Sequence, residues 1–171
     1  MRTSLWLSEL THAWHQFDSR GYTQTLISPL GGKVPSEPRS LTYFNLDATA
    51  KSWMRDEKKM KLLENTKTPA DINPDEVHAI YLTGGHAVMY DFIDSAALHK
   101  LIVDLWTRGK VVSAACHGYR DLLNVQLADR TFLSMLCGGQ MRPHPQPQNQ
   151  ISGLLRQNRR QSNHGLQLRV P

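Results

Sequence analysis

Apolar residues return along this chain in two different rhythms, and the alternation between them sets the expected architecture. Leu7, Leu10, Trp14 and Phe17 recur at intervals of three and four, one face of a helix that Gly21 can end in the left-handed conformation. Residues 22–28, YTQTLIS, read as a strand, followed by the Pro/Gly-rich loop PLGGKVPSEP. Trp53, Met60 and Leu63 mark a second, more polar helix. Residues 78–82, HAIYL, form a continuous apolar run closing on TGGH, as expected of a strand buried on both faces that delivers a loop at its carboxyl end. Leu98, Leu101, Ile102, Leu105 and Trp106 follow the i, i+3, i+4, i+7, i+8 pattern, with Asp94 or Ser95 as N-cap and Gly109 as stop. Residues 111–115, VVSAA, are the next strand, and HGYRDLLNV starts a further helix. The order α, β, α, β, α, β, α predicts an α/β domain.

At 171 residues, 40% of them hydrophobic, the chain suits one domain around one core. The periodicity ends near Leu133, so the expected division is a domain over 1–133 and a tail over 134–171. The charge divides at the same place. Residues 1–133 hold 15 Lys+Arg and all 15 Asp+Glu; the remaining five of the 20 basic residues (Arg142, Arg156, Arg159, Arg160 and Arg169) supply the whole net charge of +5. The tail reads either as disordered or as a lost reading frame, because lysine and acidic residues vanish together while Arg, Gln and Pro rise. Scattered arginines without interleaved aromatics form no defined nucleic-acid groove, so no nucleic-acid partner is expected. No run approaches the roughly 18 apolar residues of a membrane span, and Ser8, Glu9 and His12 interrupt the start too early for a signal-peptide core. The two cysteines, Cys116 and Cys137, lack zinc-site or disulfide spacing, which fits a reducing, cytoplasmic setting.

Candidate chemistry sits at two strand ends. Cys116 comes directly after the VVSAA strand, and Ala114, Ala115 and Gly118 supply the small neighbours that a sharp strand-to-helix elbow needs. There a helix N-terminus would favour the thiolate and lower the thiol pKa. A cysteine after a strand is also an ordinary small core residue. The TGGH turn places Gly84 and Gly85 where backbone N–H groups can approach an oxyanion, although a glycine pair alone is most often a turn.

Three segments, AIYLTGGHAVMYDF, GKVVSAACHGYRDLLNV and TSLWLSELTHAW, resemble the ThiJ/PfpI superfamily of class I glutamine amidotransferase-like proteins, in its glyoxalase III-like and heat-shock-chaperone branch. The resemblance runs from about Arg2 to Leu133. It implies a flavodoxin-like or Rossmann-like three-layer sandwich with a mostly parallel sheet, incomplete here at both ends. It also implies Cys116 as nucleophile, His117 as its neighbour in the triad and Glu9 as the carboxylate aimed at the sulfur. Gly84, Gly85 and His86 would form the oxyanion and substrate-binding turn, with the His117 N–H completing it. The acidic residue that orients the histidine in this family has no counterpart in the sequence.

By that resemblance the substrate is a small aldehyde such as methylglyoxal or glyoxal, converted to a hydroxy acid without a cofactor, in a protein that forms a homodimer when intact. A stress-related holdase chaperone, or a non-functional truncated product, is the alternative. A metal site using His86, Asp91 and a further histidine is disfavoured, since a loop histidine and aspartate so spaced are usually solvated. With a central strand expected between residues 22–28 and 78–82 and absent from the sequence, the chain as written is expected to fold poorly and to catalyse little.

Overall fold

The structure, a computed structural model, describes residues 4–136. The tail beyond Leu136, Cys137 included, lies outside the described residues, and with it the expectation of disorder or a lost frame.

Helix α1 (Leu7–Asp18) buries Leu7, Leu10 and Thr11, the face the spacing predicts. The chain leaves it through Gly21 at φ 78°, whose N–H donates to the Asp18 carbonyl. The single polar helix expected around Trp53 and Leu63 is two helices, α2 (Ala48–Arg55) and α3 (Glu57–Glu64). Asp56 breaks them: its backbone is extended and its side chain accepts the Lys58 N–H at 3.0 Å, a local bond that competes with continuing the helix. Asp47 caps α2 in the same way, accepting from Thr49 and Ala50. Trp14 of α1 meets Trp53 of α2 edge-on at 5.1 Å, and these helices share one apolar cluster with Leu5 and Leu63.

Two strands, β1 (Ala79–Leu82) and β2 (Val111–Ala114), pair in parallel with Ala79 opposite Val111 and Leu82 opposite Ala114. Between them run α4 (Val88–Asp91) and α5 (Ala96–Thr107). Ser95 caps α5 by accepting the Leu98 N–H, and Gly109 turns the chain at φ 70°. Leu98, Leu101, Ile102, Leu105 and Trp106 are all buried against the strands, at about 2 kcal/mol of apolar transfer for each side chain. Beyond β2 come a 3-10 turn at Cys116–Gly118, α6 (Tyr119–Leu122) and α7 (Leu133–Leu136). The fold is therefore α/β with a parallel sheet.

Residues 22–28 do not form the expected strand. The segment is extended but pairs through one bridge, Ile27 with Lys67, held by Ser28 N–H to the Lys67 carbonyl and Lys67 N–H to the Leu26 carbonyl. Its other side faces a cleft: Ile27, Ser28 and Pro29 stand across it from Ile80, Tyr81 and Leu82 of β1. An extended segment becomes a strand only when a neighbour takes up its hydrogen bonds, and across this cleft none does so among the described residues.

Candidate active site at the Cys116 elbow

Parallel pairing of β1 and β2 brings both carboxyl ends to one edge, so the TGGH turn and the Cys116 elbow lie side by side. Cys116 occupies φ 49°, a left-handed backbone that a non-glycine residue adopts only when its surroundings enforce it. Gly118 helps enforce it. A Cβ there would lie 2.5 Å from the Leu82 carbonyl oxygen and 2.7 Å from that of Thr83, so only glycine lets the elbow seat against the end of β1. The expected sharp turn after the strand is thus formed, with Cys116 exposed at its tip.

Glu9 reaches the same place from α1. Its Oε2 accepts the Gly84 N–H at 2.7 Å, so the carboxylate is pinned to the TGGH turn. The Gly84 carbonyl in turn accepts the Trp6 N–H at 3.3 Å, which ties the turn to the start of α1. A Cβ on Gly84 would fall 2.6 Å from Glu9 Oε2, 2.8 Å from the Cys116 Cβ and 2.9 Å from the His117 nitrogen, so Gly84 is the point at which the three groups converge. Gly85, at φ 126°, passes so close to the Ser4 carbonyl that no side chain fits. His117 Nδ1 stands 3.1 Å from the Cys116 sulfur, and its ring lies over the exposed His86 ring with centroids 4.9 Å apart. The sulfur thus has an imidazole on one side and a carboxylate acting on it from the other.

The thiol does not behave as its position after a strand suggests. Burial, the Glu9 charge and a hydrogen bond to Glu9 push the Cys116 thiol above its ordinary value, against a smaller opposing effect of the His117 N–H. The expected lowering by a helix dipole fails for a geometric reason: Cys116 opens only a single 3-10 turn and a four-residue helix, too short to offset an adjacent carboxylate. Cys116 therefore holds its proton more firmly than an ordinary thiol does, with the Glu9 carboxylate beside it.

Sequence reasoning missed Tyr81. Burial first, then the charges of Glu9 and Cys116, raise its phenol, and the hydroxyl points at the Glu9 backbone carbonyl at 3.5 Å. Strand alternation holds the signal: Ile80 and Leu82 face the core, so Tyr81 faces α1 and the site. No group of three or more His, Cys, Asp or Glu side chains is arranged to hold a metal among the described residues, and no helix among them is long and apolar enough to cross a membrane.

No family model matches the chain. Among curated proteins it is 34% identical over 86 residues to a probable glutathione-independent glyoxalase of Schizosaccharomyces pombe, covering 49% of this chain and 33% of that protein. It is 25% identical over 119 residues to a glutathione-independent glyoxalase of Saccharomyces cerevisiae, covering 68% of this chain and 50% of the relative. The chain thus spans half or less of the length of these two relatives. Among solved structures, the Rapid Encystment Protein 24 kDa of Francisella tularensis superposes with a TM-score of 0.70 at 30% identity, over 75% of this chain and 56% of that one. Glyoxalase III of Candida albicans superposes with a TM-score of 0.67 over 98% of this chain and 73% of that one; at 18% identity it speaks for the fold alone.

Proposed function

We propose, on the premise that this chain resembles the glyoxalase III-like branch of the ThiJ/PfpI superfamily in sequence and fold, that its site converts methylglyoxal or glyoxal to the corresponding hydroxy acid without glutathione. The observation that carries the proposal is the convergence of Glu9, Cys116 and His117 on Gly84. The thiol adds across the aldehyde carbonyl, forming a C–S bond while its proton passes to the neighbouring acceptors. A base then takes the hydrogen from the former aldehyde carbon and returns it to the adjacent carbon, leaving a thioester of the hydroxy acid. Glu9 is the nearest carboxylate for that transfer. Water hydrolyses the thioester and frees the thiol. The N–H groups of Gly85 and His117 are the donors we assign to the developing oxyanion, with His86 lining the turn.

Because the resting thiol is held protonated, proton removal by Glu9 and carbon–sulfur bond formation are coupled, which restrains the cysteine from reacting with indiscriminate electrophiles. Hydroxy-acid formation from methylglyoxal without added glutathione tests this, with Cys116→Ala as control; formation that survives the substitution removes the cysteine from the chemistry.

A second reading, a holdase chaperone, is favoured by Tyr43 and Phe44, packed edge-on at 5.7 Å and 79% and 95% exposed, with Leu30 92% exposed. Suppression of client aggregation that persists in Cys116→Ala would support it. We assign the protein to the cytoplasm, on its cysteine usage, and to a homodimer, on the resemblance.

A further inference from the structure

A buried ion pair lies behind the elbow, outside the proposed chemistry. His99 on α5 and Asp121 on α6 meet through Nε2 and Oδ1 at 2.9 Å. Asp121 is 1% exposed, and its Oδ2 has no hydrogen-bond partner among the described residues. A buried carboxylate with one oxygen unanswered is an expensive group to keep, and hydrophobic side chains of similar volume commonly replace such pairs at no loss. Neither residue touches the reacting groups. What the pair does have is position: Asp121 sits five residues after Cys116 on the helix leaving the elbow, and a ring N–H of His99 also donates to the Phe92 carbonyl, in the turn just beyond His86 and α4.

We propose that His99 and Asp121 are positioning residues that fasten the Cys116 elbow to α5 and to the His86 segment, and so hold the thiol against Glu9. The assignment rests on reading Cys116 as the reacting group. One imidazole bonded to two elements fixes both their separation and their angle, which apolar packing alone, being non-directional, does not. The pair also binds its shared proton tightly. The Asp121 bond raises His99, and burial raises Asp121. Among neighbouring charges, Asp94 in the loop before α5 adds to the effect on His99, while Lys100 on the same helix is engaged by Asp104 at 2.6 Å.

The consequence runs opposite to that of simple damage. If the elbow is freed, Cys116 moves away from Glu9, the thiol falls back toward its ordinary value, and it alkylates faster at neutral pH while turnover declines. The test compares the full chain with His99→Ala, Asp121→Ala, the double variant and Asp121→Asn. It reads iodoacetamide labelling of the Cys116 peptide across pH by mass spectrometry, with a thermal melt of each protein. We expect each alanine variant to label about three- to tenfold faster near neutral pH, the double variant no faster than either single, and Asp121→Asn to stay near wild type because the amide still bonds His99. His99→Gln, close in size but unable to serve both partners, stands in if His99→Ala does not fold, with the same shift expected. Labelling rates unchanged in variants that melt lower, or single effects that multiply in the double, would overturn the assignment. Methylglyoxal turnover run alongside separates the two readings: labelling shifts in a protein without turnover support the clasp and overturn the glyoxalase activity, while turnover without labelling shifts overturns the clasp alone.

Discussion

Replacing Gly118 with alanine adds one methyl group where the elbow is seated, and its cost depends on what that methyl meets. The Cβ would lie 2.5 Å from the Leu82 carbonyl oxygen, 2.7 Å from the Thr83 oxygen and 2.9 Å from the Leu82 carbonyl carbon, all of them backbone atoms. Ordinary contact begins at 3.4 Å, so the elbow must retreat by 3.4 − 2.5 = 0.9 Å. That movement strains the Ala115 N–H bond to the Leu82 carbonyl, now 2.9 Å, and the pairing of Leu82 with Ala114. Overpacking of this kind costs about 1–3 kcal/mol and a weakened hydrogen bond about 1, against about 1 regained because alanine leaves the unfolded chain less backbone freedom to lose. The net loss is about 1–3 kcal/mol, or roughly 2–12 °C in melting temperature for a chain of this size. Gly21→Ala is the control, because a Cβ there meets nothing within 4 Å and incurs only the left-handed backbone strain of about 1–2 kcal/mol, less the same gain. Thermal denaturation followed by circular dichroism should place Gly118→Ala below Gly21→Ala, with altered Cys116 labelling in the former only. If Gly118→Ala melts at or above the control, the elbow is not seated on β1 as described.

Glu9→Gln removes the charge that opposes the thiolate, so iodoacetamide should label Cys116 faster at neutral pH while most turnover disappears; equal labelling would separate Glu9 from the sulfur. Asp47→Ala deletes the cap of α2 and should cost about 1 kcal/mol in urea denaturation. Burial alone would raise the Asp47 carboxyl, but the Ala50 N–H, His12 and the Thr49 N–H outweigh it and hold it below the usual 3.8. The stability it contributes is therefore present above that value and lost as pH falls through the lower folded one, a loss that Asp47→Ala should not show. His99 works with the opposite sign: raised from 6.5, chiefly by its bond to Asp121, it stabilises the fold below 6.5. That contribution disappears as pH rises through the folded value, and melting curves of His99→Gln should be flatter across that range.

The parts of this fold that could be read from the sequence are those written in neighbouring residues. HAIYLTGGH carries strand and turn, and VVSAACHGY strand, turn and helix start, each within ten residues, and both form where the apolar runs and glycines place them. The α5 helix was likewise legible because its five buried side chains fall on one face and Ser95 and Gly109 punctuate it. What failed depended on distance in the chain. Residues 22–28 look like a strand, but a strand needs a partner along its length, and here Lys67 supplies one bridge only. The Cys116 thiol looks activated by the helix after it until Glu9 arrives from α1. His99 and Asp121, 22 residues apart, carry no local signal that they meet.

The central claim, that Cys116 is the group that attacks an aldehyde, is tested most directly by trapping its first product. The chain is incubated with methylglyoxal in the absence of glutathione, the reaction is stopped with acid, which preserves a thioester of the hydroxy acid on the sulfur, and each cysteine-containing peptide is mapped by mass spectrometry. A saturable adduct on the Cys116 peptide, abolished by Cys116→Ala, is expected, with hydroxy acid formed in proportion wherever turnover occurs. Adduct distributed equally over Cys116 and Cys137, rising without saturation and indifferent to Glu9→Gln, would mean that the elbow confers no reactivity of its own, and would contradict it.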